Sequence, residues 1–323
     1  MSIKKFCTFF FILTISFFCL LATLITLYGY LPSKFENEKI VLIEPGKTSY
    51  QIAELLEENN VINNKYLFLI YSKIVAKEKK LIAGEYNFAP KISAKNVIQI
   101  LSRGESITRS ITIPEGLTVY EVLELINNEP RLAGQINEIP KEGTLFPSTY
   151  YFKYGDLRSK LIRLMKTEMD NVINELLTSN EIPDSIKNKN ELITLASIIE
   201  KEAGNNAEKP IIASVFLNRI EKHMKLQADP TVIYALTNGK NKLGRLLRKK
   251  DLKYKSDYNT YIIKGLPPGP IACPGYKSLQ AALNPSDTDY FYFMVNGKGG
   301  HNFSKNFKSH INNINQYRKL KKN

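Results

Sequence analysis

Apolar and polar positions divide the chain into a leader and two folded stretches. From Phe6 to Tyr30 the residues are apolar or small and uncharged, behind Lys4 and Lys5. A run of that length crosses a bilayer as one helix, which needs about 20 residues. Its end, Leu27-Tyr28-Gly29-Tyr30-Leu31, has no small-x-small cleavage site, so an uncleaved anchor is predicted over a removed signal peptide. With Lys4 and Lys5 held inside, residues 1–5 form a cytoplasmic tail and the remainder lies outside the cytoplasmic membrane.

Residues 31–39 read as a polar tether. Beyond it the periodicity alternates between that of strands and that of helices. A strand is predicted at Ile40 to Ile43, and a helix at Ser49 to Glu58 with Ile52, Ala53, Leu55 and Leu56 inward. A second helix follows at Tyr66 to Ile74, then a strand from Ala83 to Phe88, and Ser93 caps a helix that closes at Gly104. Ser110 to Pro114 is a further strand, and Thr118 with Glu121 forms a capping box for a helix running to Asn127. Residues 40–127 thus make a small α/β module, whose strands bracket helices over some seventy residues, together with a following strand and helix. That order resembles the LysM fold, a sugar-binding module of cell-wall proteins; a spacer without a ligand is the alternative.

The segment 128–144, richer in Pro, Gly and Glu, is predicted as a linker. A mixed domain spans 145–304. Its predicted helices cover Leu157 to Leu177, a stretch opened by Asn190 and closed by Gly204, a helix capped by Asn206, a short one from Pro230 capped by Asp229, and Tyr276 to Leu283. A hairpin pairs Tyr290 to Val295 with His301 to Phe303 across Asn296-Gly297. Residues 305–323 form a basic tail. The fold class is therefore α+β, with one N-terminal transmembrane helix, a LysM-like module and a mixed α+β domain.

Within the helix ending at Gly204, stepping about 100° per residue puts Glu200 at the edge of the apolar arc, between Ala196 and Ile193. Burial disfavours a charged carboxylate, and a carboxyl that keeps its proton near neutral pH suits general acid work. Glu200 is the catalytic candidate, with a buried ion pair as its structural alternative. Glu202 lies about 200° further round, so the two do not form a dyad. The aromatic cluster Phe146 to Phe152 reads as core. The basic run Lys240 to Lys255 is either a solvated surface or a track for an anionic substrate.

Charge narrows the partners. Lys and Arg outnumber Asp and Glu 45 to 31, a formal +14, which suits nucleic acid, anionic lipid or an acidic polymer. A position outside the membrane removes nucleic acid. Cys7 and Cys19 lie in the apolar run and leave Cys273 alone, so no disulfide forms within the soluble part. His223, His301 and His310 lack ligand spacing. No metal and no cofactor is predicted.

Several segments taken together resemble the endolytic murein transglycosylases, the YceG-like or MltG family. They are Ala83-Gly84-Glu85-Tyr86, Phe146 to Tyr150, Ala196 to Glu202, Val215 to Arg219, Leu226 to Tyr234, Tyr258-Asn259-Thr260-Tyr261, Gly265 to Ile271 with Pro274-Gly275, and Gly297 to Phe303. Eight segments in order behind one membrane helix make chance a poor explanation. The resemblance implies an enzyme anchored in the plasma membrane that cuts nascent peptidoglycan strands internally between N-acetylmuramic acid and N-acetylglucosamine. The products would carry 1,6-anhydromuramyl ends, and cutting would limit strand length beside peptidoglycan synthases. It places the family's catalytic glutamate at Glu200; Ala203 stands where the family often has Thr. Gln227, Asp229, Tyr258, Asn259 and Tyr261 are the expected substrate contacts, each with a structural alternative. Two other readings stay open. One is a lysozyme-like hydrolase taking its second carboxylate from Glu202, Glu208 or Asp229; the other is a non-enzymatic wall-binding scaffold.

Overall fold

The computed structural model describes residues 3–74 and 80–320. Met1 and Ser2 of the expected cytoplasmic tail and residues 321–323 of the expected basic tail lie outside the described residues. The chain divides into two compact units, Met1–Arg109 with Tyr151–Asp156, and Ser110–Tyr150 with Leu157–Asn323.

The first unit opens with α1 (Ile3–Tyr30), which from Thr8 to Tyr30 is long and apolar enough to cross a membrane. Then come β1 (Lys39–Ile43), α2 (Ser49–Glu58), α3 (Lys65–Ile74), β2 (Gly84–Phe88) and α4 (Ala94–Arg103). Local chemistry sets these boundaries. Thr48 accepts from the Gln51 amide and Gln51 answers with its side chain, closing a capping box. Ser93 caps α4, and Gly104 ends it at φ +64°, where a side chain would be strained. β1 pairs antiparallel with β2, Lys39 opposite Phe88 and Ile43 opposite Gly84. The core gathers Ile43, Leu56, Phe68, Tyr86, Phe88 and Leu101, all fully buried, and takes in Ile25 and Tyr28 from the end of α1.

Two strands, β3 (Thr108–Thr112) and β4 (Thr149–Lys153), carry the chain from one unit to the other. In the second unit α5 (Val119–Asn127) starts at the predicted capping box of Thr118 and Glu121. Residues 128–144 belong to this unit and are packed into it. Leu132 is buried, and the Arg158 guanidinium donates to the carbonyls of Glu129 and Gly134, and to those of Ile126 and Asn127 just ahead of the segment. The unit continues with α6 (Arg158–Ser179), α7 (Lys189–Glu202), α8 (Lys209–Glu221), α9 (Asp229–Thr237), α10 (Tyr276–Leu283), β5 (Tyr292–Val295), β6 (His301–Ser304) and α11 (Phe307–Leu320). α6, α7, α8 and α10 enclose one apolar core that includes Met169, Leu195, Ile199, Ile212, Phe216 and Leu279.

Four helix ends differ from the sequence reading. α7 starts at Asn188, whose Oδ1 accepts from the Glu191 amide at 3.0 Å. Asn190 lies inside its first turn, and its amide donates to Pro268 O at 3.3 Å. The helix ends at Ala203 in an extended conformation (φ −72°, ψ 126°), without a left-handed glycine at Gly204. Ahead of α8 the side-chain acceptor is Asn205, not Asn206, and it receives the Glu208 amide. α9 takes Ala228 as its N-cap, which frees the Asp229 carboxylate for other use.

Candidate active site

The last turn of α7 reads Glu200-Lys201-Glu202, and a helix aims two side chains two positions apart to nearly opposite sides. Glu200 points into the junction of three helices. Its side chain is 9 % exposed and that of Lys209, on α8, 4 %. The Glu200 carboxylate accepts from Lys209 Nζ at 3.2 and 3.3 Å, from the Gly275 amide at 3.0 Å and from the Ser278 hydroxyl at 2.7 Å. Lys209 Nζ also lies 3.7 Å from Glu115, whose carboxylate occupies the space a Cβ at Gly275 would need. This buried, donor-filled ion pair ties α7, α8 and the start of α10 together. Burial of Glu200 follows the helical wheel, but the burial is of the ion-pair kind.

Glu202 faces a different environment. It lines a cavity of about 320 Å³ together with Arg219, Gln227, Asp229, Tyr261, Tyr292 and His301, and Glu200 is absent from that lining. Burial raises the Glu202 pKa to about 8, the charge of Asp229 adds to the rise, and Arg219 and the Asp229 backbone amide pull the other way. A carboxyl in that position is still largely protonated at neutral pH.

The rest of the lining is held by buried polar clamps. Arg219, the only charged residue in the run Ile211 to Ile220, is 7 % exposed. Its guanidinium donates to the carbonyls of Leu226 (2.7 Å) and Phe291 (2.6 Å) and lies over the Tyr292 ring at 5.2 Å. Thr260 accepts the Gln227 amide through its carbonyl and the Ala228 amide through its hydroxyl. Gln227 is thereby fixed at φ +51°, a left-handed conformation that side chains of its type rarely adopt. The Tyr261 hydroxyl donates to Asp229 Oδ1 at 2.7 Å. Burial and that bond raise the Tyr261 pKa, so it remains a donor. On the opposite wall, His301 meets Glu208 through both its amide and Nδ1, each at 2.8 Å. Burial works to raise the Glu208 pKa, but the two His301 bonds outweigh it and hold it below the usual value.

Of the five expected substrate contacts, Gln227, Asp229 and Tyr261 come together with Glu202. Asn259 does not reach the cleft. It is fully buried, its amide donates to the carbonyls of Leu252 and Tyr254, and its oxygen accepts the Tyr261 amide, so it shapes the loop that presents Tyr261. Tyr258 packs on Tyr234, ring centroids 4.8 Å apart, away from the cavity. Arg219, Tyr292, His301 and His310 were not anticipated as lining. For Arg219 a signal exists, since a cation inside the otherwise uncharged run Ile211 to Ile220 requires buried acceptors. Among the described residues no group of three or more His, Cys, Asp or Glu is placed to hold a metal ion.

A second perturbed carboxyl, Glu142, sits beneath α5. It accepts from the Val119 amide at 2.9 Å and the Tyr234 hydroxyl at 3.3 Å, and burial raises its pKa to about 7. Both carboxyls keep in the folded chain a proton that the unfolded chain releases near 4.5. The unfolded state then binds fewer protons, so stability falls as pH rises towards 8. His310, lowered by burial and Arg219 from 6.5, acts oppositely at lower pH. Between about pH 7 and 8.5 the urea midpoint should therefore fall, and Glu202→Gln should flatten that slope. A midpoint that rises over this interval would contradict the assignment.

The fold and cleft have relatives. The profile of the YceG-like family matches residues 41–316. A Bacillus subtilis protein named endolytic murein transglycosylase is 34 % identical over 300 residues, covering 83 % of this chain and 81 % of its own length. A Streptococcus pneumoniae protein of the same name is 26 % identical over 334 residues, and the match takes in 88 % of this chain but 59 % of that protein. A crystal structure of a YceG-like protein from Listeria monocytogenes aligns with TM-score 0.52 and 32 % identity, over 86 % of this chain and 99 % of that one.

Proposed function

This chain belongs to the YceG-like family, and we propose that it is an endolytic murein transglycosylase whose acid and base is Glu202, not Glu200. The observation that carries the reading is a carboxyl with a pKa near 8 in a cavity shared with Gln227, Asp229 and Tyr261. Protonated Glu202 gives its proton to the glycosidic oxygen between N-acetylmuramic acid and N-acetylglucosamine. The bond from that oxygen to the muramic anomeric carbon breaks, its electron pair stays with the departing oxygen, and oxocarbenium character develops at the carbon. The 6-hydroxyl oxygen of the same sugar closes on that carbon, and the Glu202 carboxylate takes up the hydroxyl proton. No water enters, and the enzyme returns to its starting state with a 1,6-anhydro end released.

One observation favours a second reading, a hydrolase. Asp229 lines the same cavity as Glu202 and its carboxylate is oriented by Tyr261, as a second carboxylate in a hydrolytic site needs. Asp229→Asn separates the two. Under the transglycosylase reading the variant still releases anhydro ends, and its activity limb moves to lower pH because a like charge beside Glu202 is gone. Under the hydrolase reading cleavage drops by about 10³-fold or more. Mass spectrometry of the fragments with a pH–rate profile decides.

The first unit supplies the placement. The order β1–α2–α3–β2, with its two strands paired, supports a LysM-like wall-binding role. α1 supports single-pass anchoring in the plasma membrane with the remainder outside, where glycan strands are made by synthases. The excess of basic residues suits an acidic polymer.

A further inference from the structure

α3 has two unlike faces. One enters the first unit's core through Phe68, fully buried, and Tyr71, 2 % exposed. The other carries Tyr66, Leu67, Ile70 and Ile74, which are 58, 39, 42 and 63 % exposed and fall within about 100° of one another around the helix. An apolar stripe of that size on a short helix marks a contact surface.

Its neighbours identify the occupant. The Tyr28 hydroxyl, near the end of α1, donates to Asn64 O at 2.8 Å just before α3 begins. Gly29 brings α1 so close to the Tyr71 ring that no Cβ fits there. Ile25 and Tyr28 already belong to the folded core, which leaves the run from Phe6 to Leu24 for the hydrocarbon layer. As a helix that run rises about 28 Å, against roughly 30 Å of hydrocarbon in a bilayer. The outer headgroup layer therefore begins at the level of α3. Residues suited to that layer are present: Tyr30, 63 % exposed, with the Lys95 ammonium 4.7 Å from its ring centre, and Lys73 in the last turn of α3.

We propose that α3 lies in the headgroup layer of the membrane that α1 crosses, with Tyr66, Leu67, Ile70 and Ile74 turned to the acyl boundary. The first unit then rests on the lipid surface through two contacts, α1 and α3, instead of swinging on a free tether.

The chain has no tryptophan, so a single introduced one reports on its own surroundings. The full chain carrying Tyr66→Trp is placed, one molecule per disc, in nanodiscs of phosphatidylethanolamine and phosphatidylglycerol with brominated acyl chains. A chain carrying Leu246→Trp, at a side chain 89 % exposed, serves as the control. Quenching of the Tyr66→Trp chain should exceed the control by about threefold and be strongest with bromines near the headgroups. Adding Ile70→Glu should return it to the control value. Equal quenching of the two chains would overturn the proposal. So would an emission blue-shift without bromine quenching, which would mean that protein covers the stripe.

Discussion

Glu202→Gln should abolish glycan cleavage, lowering turnover by about 10³-fold or more, while the protein folds and binds glycan as before. The amide is nearly isosteric with the protonated carboxyl but has no proton to give to the glycosidic oxygen. The folded chain loses little by the change. Glu202 is held mainly neutral near pH 7 by burial and by the charge of Asp229, so a neutral amide fits the same space and removes the repulsion that appears on ionisation. Turnover of uncrosslinked glycan and the unfolding midpoint, measured on one preparation, check both halves. A variant that still cuts at the native rate would exclude Glu202 as the proton donor.

Breaking the neighbouring pair should do the reverse. Glu200→Gln leaves the buried Lys209 ammonium with Glu115 at 3.7 Å as its remaining acidic partner. Removing one member of a buried pair costs about 3–5 kcal/mol, or roughly 10 °C in Tm for a domain of this size. Turnover per folded molecule, assayed well below the new midpoint, should stay within about tenfold of native, because Glu200 does not line the cavity. Glu200→Met combined with Lys209→Met should unfold at a higher temperature than Glu200→Gln alone, since no uncompensated charge is left inside. Thermal scans beside single-turnover assays distinguish this stabilising role from a catalytic one.

The contrast between the two glutamates shows where the sequence was legible. Features set by bonds within one turn were readable: the capping box of Thr118 and Glu121, the span of α2, and the left-handed end of α4 at Gly104. The helical wheel also placed Glu200 on the core side of α7, where it lies. It did not reveal that a buried cation nine residues later meets it, nor that Glu202, on the polar side, is desolvated by Asp229, Arg219 and Tyr261 from other elements. Those walls come from chain crossings that periodicity does not encode. Asn259 illustrates the same limit from the other direction. Its segment matched a family stretch, yet its amide is spent on the carbonyls of Leu252 and Tyr254. Residues 128–144 have the composition of a linker but are bound in place by Arg158, a donor lying beyond their end.

The most direct measurement is the mass of the fragments made from uncrosslinked glycan in heavy-oxygen water, by the native chain and by Glu202→Gln. Native fragments should be one water lighter than hydrolytic ends and free of label, and none should come from the variant. Labelled, hydrated ends, or unlabelled anhydro ends from the variant at native yield, would contradict the Glu202 mechanism.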